Sequence, residues 1–437
     1  MQLTRTELLP GVWLSHLRTD KFKTACLSLT LLTQLKRETA SMNALLPYVL
    51  RRGTMSCPDM EALSNRLDAL YGSAIEPVVR RIGEIQCVGF YASLPEDAFL
   101  PEGESVLQEG CALLGELLLS PVTRGGLLLP DYVDSERDKM LDVIRSRINE
   151  KRGYALIRCL EEMCCCEDFA VGRLGSEAEC EAIHYKKLSR HYRELLKTSP
   201  VELFYCGRAE EKEVASLLRD ALATLPRGEI NYEIGTDVRM NALEEQPRRV
   251  NETMAVNQGK LVIGWRLGAC MEEPDVPALY VFNSVFGAGS TSKLFLNVRE
   301  KLQLCYYAGS LVDSHKGLML VSSGVDAKDR EAAEAEIFAQ LEAVRHGEIT
   351  DEELSAARSG VAGELRALED SQGELEGFCL ARALDGPDCS PLELAELCEQ
   401  VTKEDVAAVA ASVECDMLYF LSGNGEESEE DLSDAED

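Results

Sequence analysis

Apolar residues in the first half of the chain fall at helical spacing in some stretches and alternate with polar ones in others. Residues 58–70 (PDMEALSNRLDAL) carry the spacing of a helix with one buried face. YGSAIEPVV then turns into a strand, and RIGEIQCVGFYASL continues with alternating character. That pattern predicts a helix followed by an antiparallel pair. Residues 104–119 and 135–150 read as two further amphipathic helices, with Pro121 and Pro130 breaking the connection between them. The run VELFYCG at 201–207 reads as a short buried strand and leads into the helix EEKEVASLLRDALATL.

Between Pro226 and Pro247 the chain becomes polar and loses periodicity, as a linker does. Beyond it the order recurs: a strand at KLVIGWRL, a helix at VPALYVFNSVFG, a glycine-containing loop, a helix through KLFLNVREKL, and strands at QLCYYAGSLV and GLMLVSSGV. Two long helices, DREAAEAEIFAQLEAVRHG and EELSAARSGVAGELRALED, are expected to close the second half. Residues 44–73 and 278–310 share a plan of helix, glycine turn, helix, then a strand with tyrosine and glycine at its start, which suggests duplication. The expected fold is α+β, with two homologous halves, each an antiparallel sheet packed with helices. The expected division is 1–225, a linker at 226–247, a second domain at 248–425 and a tail at 426–437.

Charge narrows the partners. The net charge is −31, and the twelve residues 426–437 hold eight acidic side chains and no basic one, a composition that predicts disorder there. The remaining body is still acidic, which argues against a nucleic-acid partner, since that needs a basic face. No apolar stretch approaches the ~20 residues of a membrane helix, so the expectation is a soluble, cytoplasmic protein with no membrane contact. Its sixteen cysteines read as reduced and mostly buried thiols, and the run Cys164, Cys165, Cys166 lacks the paired spacing of a zinc site. Five histidines, at 16, 184, 191, 315 and 346, form no H-x-x-E-H or H-E-x-x-H pair and read as surface or hydrogen-bonded residues.

FGAGSTSKLF at 286–295, VREKLQLCYYAGS at 298–310 and RLGSEAECEAI in the first half, with the two-half plan, resemble the pitrilysin/insulinase family of zinc peptidases over nearly the whole chain except the tail. Active members of that family carry H-x-x-E-H on a helix of the first half and a third ligand, a glutamate, on a later helix. Two imidazoles one turn apart and a carboxylate hold zinc with an open position, and the motif glutamate takes a proton from bound water. The matching stretch here is ALLPYVLRRGT. Ala44 and Tyr48 stand where the histidines would be and Pro47 where the base would be. Glu136 matches the family's supporting glutamate, but Val143 stands at the ligand position seven residues later.

The resemblance therefore implies a chain that binds no zinc itself. In the family an arginine and a tyrosine of the second half reach toward zinc and hold the scissile carbonyl, and they match Arg299 and Tyr306 here. A fixed cation and a phenol aimed at a carbonyl oxygen stabilise its developing negative charge. Taken alone, an arginine in NVREKL reads as a solvated helix residue and a tyrosine in LCYYAG as a sheet-packing one. Tyr307, on the opposite strand face from Tyr306, reads as structural. The loop GAGSTSK lacks the spacing of a phosphate loop. In the family it lies along the substrate region, which makes Gly287, Gly289 and Ser290 candidates for peptide contact.

Family architecture implies four similar domains, of which this chain would supply two. The expected partner is thus a homologous H-x-x-E-H subunit carrying the zinc, and the expected substrate a peptide able to add a strand to a sheet edge. The alternative is a purely structural or peptide-binding scaffold subunit with no catalytic contribution.

Overall fold

The structure, a computed structural model, describes residues 3–268, 275–385 and 388–423; the acidic stretch 426–437 lies outside them. The described chain forms two compact units. The first takes residues 3–145, 171–235 and 371–384, and the second takes 146–170, 236–370 and the residues from 385 onward. The chain crosses between the units five times, and the crossing between Gly235 and Thr236 falls within a stretch that carries no helix or strand.

The first unit is built on the strands β1 (Leu3–Leu9), β2 (Val12–Arg18), β3 (Thr24–Gln34), β4 (Ala74–Ile82), β5 (Ile85–Pro95) and, beyond a two-residue hairpin of β6 (Thr123–Arg124) and β7 (Leu127–Leu128), β8 (Val201–Gly207). Their order is β1-β2-β8-β3-β5-β4, antiparallel except where β2 runs parallel to β8. β8 is buried along its whole length because both sheet faces are covered, and its one charged residue, Glu202, accepts from Arg5 Nη2. Leu203 and Tyr205 face a large core shared with the helices Arg37–Leu50, Val106–Leu119 and Tyr185–Thr198. Phe204 and Cys206 face the other way, onto Leu375 and Cys379 of the helix Gln372–Leu384.

The second unit repeats this plan with β9 (Arg248–Met254), β10 (Gly259–Arg266), β11 (Tyr307–Asp313), β12 (Leu318–Val325) and β13 (Glu414–Gly423). The order β11-β12-β10-β13-β9 matches β4-β5-β3-β8-β2, including the single parallel pair, here β9 with β13. Along β10 the side chains alternate between two covers. Trp265 meets Phe286 and Phe338 edge-on, whereas Val262 packs on Ala155, Cys159 and Met163 of the helix Lys151–Met163.

Arg266, on the same face as Val262, is fully buried. It bonds Glu167 at 2.6 Å and Asp416 at 2.9 Å, while Lys316 reaches Glu167 at 2.7 Å and Arg248 reaches Asp416 at 3.0 Å. Burial works against the Glu167 carboxylate, but hydrogen bonds from Arg266 and Lys316 hold it below the usual carboxylate range.

Three sequence expectations need correction. The second half does not close on two long helices: three more follow, Gln372–Leu384, Pro391–Gln400 and Lys403–Ser412, and β13 then enters the middle of the sheet. The helix expected over 135–150 spans Pro130–Ser146, so Pro130 lies not in the connection but at the helix start, where its missing N–H costs nothing. The helix expected through KLFLNVREKL is a π-helical turn, Leu294–Lys301, and the Leu302 N–H bonds back to Asn297 at 3.1 Å.

Candidate functional site

The helix Arg37–Leu50 carries the positions where the family's zinc motif would lie. Ala44 has no exposed surface and packs in the core of the first unit, and Pro47 is buried beside it. Of these positions only Tyr48 faces outward, 37% exposed, and Val143 on the helix Pro130–Ser146 is 52% exposed. An alanine methyl, a proline ring and a valine offer no metal donor, and a phenol alone does not replace an imidazole pair. No group of three or more metal-ligating side chains occurs among the described residues. Zinc chemistry therefore does not fit the residues at these positions.

Glu136 survives with another task. Its carboxylate is buried and accepts from Arg52 Nη1 at 3.0 Å and from Lys139 Nζ at 2.8 Å. The Arg52 guanidinium lies 4.8 Å from the centre of the Tyr132 ring. A carboxylate that would serve a metal site is here neutralised by two cations.

Sequence reading missed the amide network that fastens this helix. Asn43, fully buried, donates from Nδ2 to Gln86 Oε1 at 2.9 Å and to Thr33 Oγ1 at 3.1 Å. Gln86 in turn donates to the Ala40 and Arg173 carbonyls. Asn43 Oδ1, left as the acceptor, meets His191 Nε2 at 2.5 Å, so that nitrogen carries the hydrogen. Burial, helped by the charge of Lys187, pushes His191 down to about 4. His191 is thus a neutral hydrogen-bonding residue. A buried asparagine beside the motif was the available signal, but its partners lie 10 to 148 residues away in sequence.

In the second unit, Arg299 sits on the π-helical turn with its side chain 42% exposed. It pairs with Glu300 at 3.7 Å and stacks over Phe295 at 4.8 Å. The chain then turns through Gln303, whose φ of 52° lies in the left-handed region, and reaches Tyr306, 66% exposed just before β11. The Tyr306 N–H donates to the Gly324 carbonyl at 2.9 Å, which anchors the backbone and leaves the ring outside. Tyr307 is half-buried, with Arg152 over its ring at 4.3 Å. Arg299 and Tyr306 therefore stand on open surface of the same unit.

The loop between them and the preceding helix is stitched to β11. Ser310 donates its N–H to the Gly287 carbonyl at 3.1 Å and its hydroxyl to Asn283 Oδ1 at 2.6 Å. A Cβ on Gly287 would meet Ser310 Oγ at 2.4 Å, so glycine there permits close approach and is itself buried. Gly289 has φ +93° with open space around it, and it and Ser290 form the exposed part of the loop.

Comparison with known proteins finds relatives described as inactive members of a peptidase family. The family described as "Peptidase M16 inactive domain" matches residues 182–361. The chain is similar to a probable inactive metalloprotease, YmfF, of Bacillus subtilis (strain 168), with 31% identity over 414 residues, covering 94% of this chain and 96% of that one. Among solved structures, a conserved protein from Enterococcus faecalis V583 superposes with a TM-score of 0.88 at 26% identity, covering 98% of this chain and 100% of that chain. The peptidase M16 inactive domain from Pseudomonas fluorescens gives 0.77 at 15% identity, covering 98% of this chain and 100% of that one, a likeness of fold alone.

Proposed function

The chain belongs to the M16 peptidase family, the pitrilysin/insulinase group that its sequence resembles, as a member without a catalytic zinc site. On that premise we propose that it is the substrate-holding subunit of a heterodimeric zinc endopeptidase and presents Arg299 and Tyr306 to the zinc of a homologous H-x-x-E-H partner. The observation that carries this reading is a contrast. The metal positions are occupied by Ala44, Pro47, Tyr48 and Val143, while Arg299 and Tyr306 remain on the surface. A cation and a phenol left in the open are available to a carbonyl bound at another chain's metal.

The sheet edges support where a peptide would lie. β4, one of the two outer strands of the first sheet, contains Pro77, which has no N–H to give, and its Ile75 carbonyl is taken by Arg51 Nε at 2.6 Å. β11, the equivalent edge of the second sheet, carries an exposed Leu311 and follows the exposed Tyr306. A peptide substrate pairing with β11 would find apolar contacts beside Arg299.

The test is turnover of a peptide by the pair. Arg299→Ala is expected to lower kcat by about 100-fold or more, the scale of losing one oxyanion donor, with the complex intact by size-exclusion chromatography. Unchanged turnover would remove the catalytic contribution. It would favour the second reading, a scaffold subunit, which is supported by the engagement of Arg299 with Glu300 and Phe295.

A further inference from the structure

Three adjacent cysteines follow the helix Lys151–Met163, and the second unit treats them differently. Cys164 is fully buried, with Arg266 Nη2 donating to its sulfur at 3.9 Å, and burial pushes its thiol up to about 12. Cys165 and Cys166 are the exposed ones among the fifteen cysteines described, and their sulfurs lie 3.8 Å apart. Arg248 donates from Nη1 to the Cys165 sulfur at 3.7 Å, which sets the first thiol beside a guanidinium.

We propose that Cys165 and Cys166 form a redox modification site, a vicinal dithiol that closes to a disulfide by exchange with a low-molecular-weight disulfide. The Cys165 thiolate attacks one sulfur of the small disulfide, forming a mixed disulfide and expelling one small thiol. The Cys166 sulfur, already adjacent, then attacks the Cys165 sulfur and expels the second. Two protein thiols are oxidised, one small disulfide is reduced to two thiols, and the two protein hydrogens leave with those thiols.

Geometry makes this closure reversible. Adjacent Cα atoms lie about 3.8 Å apart across a trans peptide, short of the roughly 4.4–6.8 Å that disulfides usually span. The closed ring is therefore strained and readily reduced, as befits a switch and not a structural bond. To close, the sulfurs must approach from 3.8 Å to about 2.05 Å. The next residue in the chain is Glu167, whose carboxylate is fixed by Arg266 and Lys316. Closure thus pulls on the ion cluster that covers Cys164.

The experiment incubates the full chain with glutathione disulfide and reads intact and peptide masses, followed by timed alkylation. The expected result is loss of two hydrogens, located to one peptide joining Cys165 to Cys166 and reversed by dithiothreitol. Cys166→Ser should stop at a mixed disulfide on Cys165. In the oxidised wild type, Cys164 should be alkylated several-fold faster than in the reduced protein. Unmodified thiols, mixed disulfides that persist in the wild type, or a disulfide between two chains would overturn the proposal. Closure that leaves the Cys164 rate unchanged would overturn its link to the ion cluster.

Discussion

His191 donates its Nε2 hydrogen to Asn43, the residue before Ala44, and this contact makes a prediction at the scale of one side chain. The folded-state value of about 4 lies below the ordinary 6.5, so the unfolded chain takes up a proton before the folded one does. This residue's contribution is complete above pH 6.5 and is lost as pH falls from 6.5 to 4. At about 1.4 kcal/mol per unit it amounts to about 3 kcal/mol. His191→Gln, which keeps a donor but does not titrate, is expected to lose less stability than the wild type between pH 7 and pH 4.5 in urea unfolding. Equal losses would mean that His191 is protonated in the folded protein. At this scale the absence of the zinc motif was legible in the sequence, because H-x-x-E-H is local and its substitutes stand at fixed spacing. The burial of Ala44 was not, since it depends on strands that pack against the helix from elsewhere in the chain.

Among the elements, the helices Lys151–Met163 and Gln372–Leu384 belong to units other than those their sequence neighbours suggest. The second lies on the first sheet through Leu375, Cys379 and Leu380, and its Gln372 side chain donates to the Thr24 and Cys206 carbonyls and accepts from Thr24 Oγ1. Leu375→Ala, at a side chain buried in that contact, is expected to cost about 2–5 kcal/mol in chemical unfolding. A change below about 1 kcal/mol would show that the helix contributes little to the first unit's stability. Amphipathic spacing announces that a helix has a buried face but not which sheet will cover it, so this arrangement lay beyond a reading of the sequence. β8 was legible for the opposite reason: a strand covered on both faces is apolar at nearly every position, Glu202 being the exception here, and needs no partner to be identified. Over eight residues a π-turn, which differs from an ordinary helix in its i→i+5 bonding, leaves no distinct pattern in the sequence, which hid the backbone that carries Arg299.

At the scale of the molecule, two sheets of matching strand order, each with one parallel pair, give the suspected duplication a physical form. At the positions where the family's zinc motif would lie the first unit offers no metal-ligand set, and the second unit has an exposed arginine and tyrosine on a sheet of the same topology. No helix among the described residues is long and apolar enough to cross a membrane. The most direct test of a subunit without its own zinc site is hydrolysis of a quenched peptide library. The purified chain is assayed alone with added zinc, and then mixed with an H-x-x-E-H homologue. Activity that arises only in the mixture, beyond that of the homologue alone, is the predicted result; zinc-dependent hydrolysis by this chain alone would contradict it.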